Sequence, residues 1–550
     1  MEALGSSKRD NDNFLVQGSI LAIASILSRL IGLLYRIPLN NTIGTEGAGI
    51  YSATFELYNN CLIISSYGIP TAVSKLVAAK MEKKEYQNCH RILIGALLVS
   101  GLAGAIVTGV LFMGADFFSM ALYDNPRIAL PLKVLAPNLF IFSIMGVLRG
   151  YFQGKGTMIP TSVSQILEQI VNAIISLVAA YYFMVAHSVS ADIAAYGAAG
   201  GTLGTVMGSC ASLVFLGFVF FIYRPIQRRQ MRRDQTGHLS TYTRTVKLIL
   251  LTTIPIILSQ LVYNISGLID ISLFHKIMGA KGVLKEERDA LLGIYLGQYK
   301  LLTTVPISIA TAIGAAIIPS IVSVVTRNNY REVKRKIHTA IKFNMIIAIP
   351  SAVGLGVLAK PILMMIFSSN STQELELSTM LMQLGAIVVI FVALSTISSA
   401  ILQGIDMVNI PAYHSAIALV IHVIVVVLLL KFTALGLLAL VFGYIVFALI
   451  VCILNWMYIA RVLDYRQEII KTFVIEFFAS VLMGVAAAGV YAGVHWLIPS
   501  NAFAVLVSIA VAVIVYFLML FLLKAIDESD LKRIPKGDKL LPILKKLHVM

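Results

Sequence analysis

Three cations stand in stretches built mostly from Leu, Ile, Val, Ala and Gly: Arg29, Arg36 and Lys300. An ionisable group in a lipid-length apolar stretch is costly, so it normally faces a bundle interior or a wet cavity. Arg29 and Arg36 lie about two helical turns apart, on one face. Lys300 heads a stripe with Thr304, Ser308 and Thr311. An arginine fork matches phosphate oxygens two at a time, and a lysine supplies a compact point charge. This set suits an anionic cargo.

Other polar groups recur at helical spacing. Ser52, Glu56, Asn59 and Asn60 share one face; Gln165, Glu168, Gln169, Asn172 and Ser176 share another; Ser266 and Asp270 lie on a third. Each has a plainer reading. Arg29 could pair with Glu56 and staple two helices, and Arg36 could snorkel to the outer interface, as Lys75 and Arg149 would near the cytoplasmic ends of their helices. Glu168 is either an ion or proton carrier or a partner for Arg149. Asp270 and Glu476 are placed near interfaces, and His422 reads as a structural histidine. Cys61, Cys89, Cys210 and Cys452 are isolated, without ligand spacing, so neither a disulfide framework nor a metal site is expected. No phosphate-binding glycine loop occurs, and no cofactor is expected.

The elements that must position these residues follow from composition. The chain has 550 residues, of which 58% are hydrophobic and only 13% charged, against about 25% charged in soluble domains. Such a chain cannot cover itself in water. Conventional soluble enzymes and nucleic-acid binders are excluded, and the net charge of +16 is read as loop charge facing anionic lipid. A span needs about 20 apolar residues. Fourteen stretches qualify, giving an all-α polytopic membrane protein. Most Lys and Arg fall in alternate connections, which places both termini in the cytoplasm.

Short matches recur at a long, nearly constant offset: Gly49-Ile50-Tyr51 with Gly293-Ile294-Tyr295, and Gln153-Gly154 with Gln403-Gly404. Six spans separate the partners, so two pseudo-symmetric six-helix bundles of like orientation are expected, plus two C-terminal helices. The expected divisions are an N-lobe over 1–223, a basic cytoplasmic loop over 224–245, a C-lobe over 246–460, two further helices over 461–523 and a basic tail over 524–550.

Several motifs resemble a known family. Ser28-Arg29-Leu30-Ile31-Gly32, Tyr35-Arg36-Ile37-Pro38, Gly44-Thr45-Glu46-Gly47-Ala48-Gly49, Tyr67-Gly68-Ile69-Pro70, Arg149-Gly150-Tyr151-Phe152-Gln153-Gly154 and Ile317-Ile318-Pro319-Ser320 are similar to the polysaccharide-exporter branch of the multidrug/oligosaccharidyl-lipid/polysaccharide (MOP) exporter superfamily, in its SpoVB-like and MurJ-like group. The resemblance implies a V-shaped pair of bundles around a cationic cavity that opens alternately to each face. It implies an undecaprenyl-pyrophosphate-linked sugar as cargo, with Arg29, Arg36 and Lys300 as cavity cations. The last two helices would form a groove for the lipid tail. Where relatives carry a further arginine on the second helix, Asn59 or Asn60 stands here. Where some bind sodium on the eleventh helix, His422 and Val426 stand, so no sodium site is expected.

The expected function is therefore a flippase, not an enzyme, exporting a lipid-linked cell-wall precursor such as lipid II across the bacterial cytoplasmic membrane. Membrane lipids and cell-wall synthesis proteins are the expected partners; nucleic acid is not. A multidrug cation antiporter of the same superfamily would want an acidic cavity. A lipid-linked-sugar polymerase would want a larger outer loop than residues 275–289 provide.

Overall fold

The computed structural model describes residues 21, 24–234, 236, 239–325, 329–368, 370–407 and 409–523. The N-terminal segment with Lys8 and Arg9 and the basic tail 524–550 lie outside the described residues. Helix is the regular structure throughout those residues, with no strand among them. That follows from the solvent: lipid offers no partners to backbone N–H and C=O groups, and a helix satisfies them within one segment. The chain divides into two compact units, Met1–Gly293 and Ile294–Met550.

In the first unit, α1 (residues 24–34) runs through a turn at Tyr35 into α2 (Arg36–Leu62). The expected outer loop after the first span is thus largely helical. Its break comes at Gly44, whose φ of 69° is open to glycine and rare for other residues. A π-helical turn at Ile63–Tyr67 leads to α3 (Ile69–Glu82). There follow α4 (Tyr86–Met113), the short α5 (Ala115–Tyr123) and α6 (Ala129–Leu135), then α7 (Pro137–Gly154) and α8 (Ile159–Ala186).

The next helix, α9 (Ile193–Arg232), has 40 residues, about 60 Å of helix against a hydrocarbon core of about 30 Å. Its basic end therefore projects beyond a bilayer, and the connector expected as a loop from residue 224 is helical as far as Arg232. Two more helices, α10 (Tyr242–Ala280) and α11 (Lys285–Leu292), complete the unit.

Small residues let these helices touch. Along α9, a Cβ added to Gly200, Gly204 or Gly208 would lie 2.1–2.5 Å from atoms of α8, a small-residue seam of the kind that holds helices together in lipid. On the outward side, α4 exposes Leu98, Leu102, Ile106, Val110 and Met113. So continuous an apolar face needs lipid or protein against it.

The second unit opens with a π-helical segment, Gly293–Lys300, of which all but the first residue belongs to it. It runs into α12 (Leu301–Val325), followed by α13 (Tyr330–Val357), α14 (Ala359–Ile366), α15 (Thr372–Gly385) and α16 (Val388–Gly404). The last four are α17 (Asn409–Phe432), α18 (Leu437–Leu463), α19 (Ile475–Leu497) and α20 (Asn501–Leu522). Ala479, Met483 and Ala487 of α19 pack with Ala512 and Tyr516 of α20 and Ile346 of α13 into one apolar cluster.

The expected stretches are mostly helical where they are described, although the one expected over 433–460 becomes helix only from Leu437. By length and apolarity, however, ten helices among the described residues qualify as spans, or eleven if the pair bent by 46° between α15 and α16 counts as one. The first two expected spans contribute one stretch, Ala24–Glu82, because their connection is helical on both sides of the break at Gly44.

Candidate functional site

Arg36 sets the character of the site in the first unit. Its guanidinium lies 6.0 Å from the ring centroid of Tyr51 and 5.8 Å from that of Phe55, at the reach of a cation–π contact. It is half-buried, so it does not snorkel freely. Beside it, the Tyr35 and Tyr51 hydroxyls are 3.2 Å apart, and Asn172 Nδ2 donates to Tyr35 Oη at 3.2 Å. Ser176 and Thr205 donate to Asn172 Oδ1 at 2.9 and 3.3 Å. A hydrogen-bonded chain thus holds the Tyr51 ring beneath the guanidinium. Arg29 differs: it is exposed and makes no ion pair among the described residues, so the alternative reading, a staple to Glu56, is not formed.

The polar stripe on α8 is mostly consumed by packing. Ser25 Oγ donates to Gln165 at 3.2 Å, and Gln169 lies against Gly32, where a Cβ would come within 3.1 Å of its side-chain oxygen. Glu168 accepts from Arg149 Nη2 at 2.7 Å, while Arg149 also donates to Ser164 and Ser212, each at 2.9 Å. Both partners are nearly buried, at 8% and 12% side-chain exposure. Glu168 is thus ion-paired with Arg149. Arg149, expected to snorkel, is inside because three acceptors hold it there.

On α2 the expected shared face divides. Asn59 is exposed, whereas Asn60 is buried and donates to the Glu56 backbone oxygen at 2.8 Å. The Glu56 carboxylate abuts Gly267 of α10, where a Cβ would fall 2.8 Å from Oε2. A side chain at position 267 would have to displace the end of the Glu56 side chain.

In the second unit, Lys300 ends the π-helical segment. Its ammonium lies 5.4 Å from the Tyr295 ring centroid and 5.2 Å from that of Tyr444, and it makes no ion pair among the described residues. The Tyr299 hydroxyl donates to Gly385 O at 2.9 Å, anchoring the segment to α15. Thr304 is exposed and returns its hydroxyl to Lys300 O at 2.7 Å, and Ser308 does the same to Thr304 O at 2.8 Å. Those hydroxyls satisfy their own helix.

A second ionic cluster, outside the apolar stretches, was not anticipated. Asp289 of α11 is fully buried and accepts from Asn125 Nδ2 at 2.8 Å on both oxygens. Arg127 lies 3.7 Å from it and also bonds Glu46 of α2. Arg288 donates to the His275 backbone oxygen and reaches Asp124 at 3.5 Å. Burial raises the Asp289 carboxyl to about 7, with Asn125 and Arg127 opposing that shift. Nothing local pairs these residues in the sequence, where they lie in separate connections between apolar stretches.

Asp270 and Glu476, expected near interfaces, are buried. Both carboxylate oxygens of Glu476 lack hydrogen-bond partners among the described residues. His422 is buried edge-on to Phe447, with ring centroids 5.9 Å apart. No group of three metal-ligating side chains occurs among the described residues.

Residues 15–325 match the family described as polysaccharide biosynthesis protein, and residues 255–428 match the MatE family. The chain is 27% identical to the lipid II flippase MurJ of Bacillus subtilis (strain 168), over 86% of this chain and 87% of that one. It is 24% identical to the stage V sporulation protein B of the same organism, over 95% and 98%. Its fold is similar to that of an inward-facing multidrug resistance MATE family transporter of the MOP superfamily, with a TM-score of 0.67 at 16% identity, covering 80% of this chain and 94% of that one. A multi-pass helical chain that matches this family over residues 15–325, more than half of its length, is a member of the polysaccharide biosynthesis protein family, in the MurJ-like, polysaccharide-exporter branch of the MOP superfamily.

Proposed function

We propose that this chain is a flippase that carries an undecaprenyl-pyrophosphate-linked cell-wall precursor, lipid II or a close relative of it, from the inner to the outer leaflet by alternating access. Arg29, Arg36 and Lys300 are the cations assigned to the pyrophosphate; Glu56, Asn59, Asn60 and Thr304 are assigned as polar or coupling groups of the cavity. Glu168 is left out of this set because Arg149 engages it. The membrane arrangement that goes with this reading has fourteen helices, as two six-helix bundles and two more, in the bacterial cytoplasmic membrane with both termini inside. Cell-wall synthesis proteins are the partners such a carrier would serve.

The observation that carries the reading is Lys300. A lysine held between two tyrosine faces, with no carboxylate among the described residues to neutralise it, keeps its charge for a ligand. Arg36 repeats the device with Tyr51 and Phe55. Cation export is the poorer fit, since both positions repel a cation. Energetics permit export without a coupling ion: a diphosphate bearing roughly two charges gains about 4–5 kcal/mol by moving outward through 100 mV. Expression in a Bacillus subtilis strain depleted of its own lipid II flippases, with accumulated precursor measured, tests the reading. Rescue with normal precursor levels supports it; a well-expressed protein that leaves precursor accumulating overturns it.

A further inference from the structure

A cavity of about 690 Å³ opens where α3, α4 and the first turns of α10 meet, within the range of about 300–1,000 Å³ typical of small-molecule sites. Its floor is polar and tied together. Lys80 donates to Glu85 at 2.6 Å, Asn88 donates to the same carboxylate at 2.6 Å, and the Ser240 N–H donates to Asn88 Oδ1 at 2.9 Å. The Lys80 contact holds Glu85 below the usual carboxylate range, so the two cancel. Arg244 and Lys247, also lining the cavity, are exposed and form no ion pair among the described residues. The net charge of the site is theirs.

The same face of α10 then changes character. Leu248 and Leu251 continue it one turn further on, 43% and 62% exposed, and Ile92 and Leu239 complete the apolar wall. Residues 244, 247, 248 and 251 are three or four apart, hence on one side of the helix. Over about 10 Å of rise, one stripe passes from cationic to aliphatic. The start of α10, capped by Thr241 on the Arg244 N–H, adds the partial positive charge of a helix N-terminus. A free phosphate would use the cations and leave the leucines bare; a phospholipid uses both.

We propose that this cavity binds the phosphate headgroup of an anionic phospholipid, whose acyl chains lie along Leu248 and Leu251 of α10. The site is separate from the residues assigned to cargo, and the proposal does not depend on the flippase reading.

The test is native mass spectrometry of the full chain titrated with phosphatidylglycerol or phosphatidylcholine, with melting temperature in neutral lipid as the folding control. Phosphatidylglycerol is expected to be retained over phosphatidylcholine. The double variant Arg244→Gln/Lys247→Gln is expected to weaken phosphatidylglycerol binding by about thirtyfold, at about 1 kcal/mol per cation. Arg228→Gln/Arg229→Gln, which removes exposed charges from the end of α9, is expected to leave it intact. Leu251→Gln is expected to weaken phosphatidylglycerol while leaving competition by inorganic phosphate unchanged; it carries the test alone if the double variant fails to fold. Equal losses in both double variants, or no loss in the cavity variants, overturn the site. Displacement by inorganic phosphate at matched concentration makes it a free-anion site and overturns the lipid assignment.

Discussion

Gly49 of α2 and Gly293, which follows α11, meet backbone to backbone: a Cβ on Gly49 would lie 1.8 Å from Asp289 O, and one on Gly293 would lie 1.7 Å from Thr45 O. Each glycine opens a Gly-Ile-Tyr motif, at 49–51 and 293–295, so the two copies of that motif meet at their first residue. Helices approach this closely only where both surfaces lack side chains. Gly49→Ala and Gly293→Ala are each expected to separate α11 from α2, costing about 1–3 kcal/mol by overpacking. A control is Gly101→Ala on α4, where a Cβ meets nothing within 4 Å. Melting temperatures in detergent should fall for the first two variants and hold for the third.

The ionic cluster beside this contact should respond to pH. The Asp289 carboxyl is raised to about 7 in the folded chain, from about 3.9 when unfolded. The folded state therefore binds more proton between those values, and stability falls as pH rises from about 4 to about 7. Asp289→Asn should flatten that part of the stability profile measured by thermal unfolding. A profile unchanged by the substitution would mean that Asp289 does not titrate there.

Arg149 and Glu168 form a buried pair, and breaking it should cost stability first. Removing one partner of a buried pair leaves an uncompensated charge, typically worth about 3–5 kcal/mol. Arg149→Met is expected to lower the melting temperature sharply, and Glu168→Gln, which keeps a side-chain acceptor for Arg149, less so. If Glu168→Gln instead abolished precursor export at an unchanged melting temperature, Glu168 would be a coupling residue after all.

Lys300 and Arg36 should show the opposite signature. Neither forms an ion pair among the described residues, so Lys300→Ala and Arg36→Ala are expected to abolish rescue of flippase-depleted cells while melting within a few degrees of the parent chain. Lys300→Arg should retain part of the rescue, because charge persists while its geometry changes. Near-normal rescue by both alanine variants would remove the cationic basis of cargo binding.

The class of molecule was legible in the sequence because it depends on sums over windows. Apolar stretches of span length, their basic connections and the motifs around Arg29, Arg36 and Arg149 do not require knowing what touches what. Helix boundaries were less legible: Tyr35 and the helix after it continue the first span into the second, because no residue before Gly44 forces the backbone out of helix. The fates of the individual charges were not legible at all. Arg149 and Arg36 are both arginines near helix ends, yet one is neutralised by Glu168 and the other lies over aromatic rings. Asp289, Asn125 and Arg127 occupy ordinary-looking connections and still form a buried cluster. Periodicity tells which residues share a face of one helix; whether that face meets a partner, a ring or open space is set by the neighbouring helices. The sequence by itself determined that charge would enter the membrane, and the tertiary packing decided which of those charges is ion-paired and which lies over aromatic rings instead, since pairing depends on groups brought within a few ångströms from distant parts of the chain.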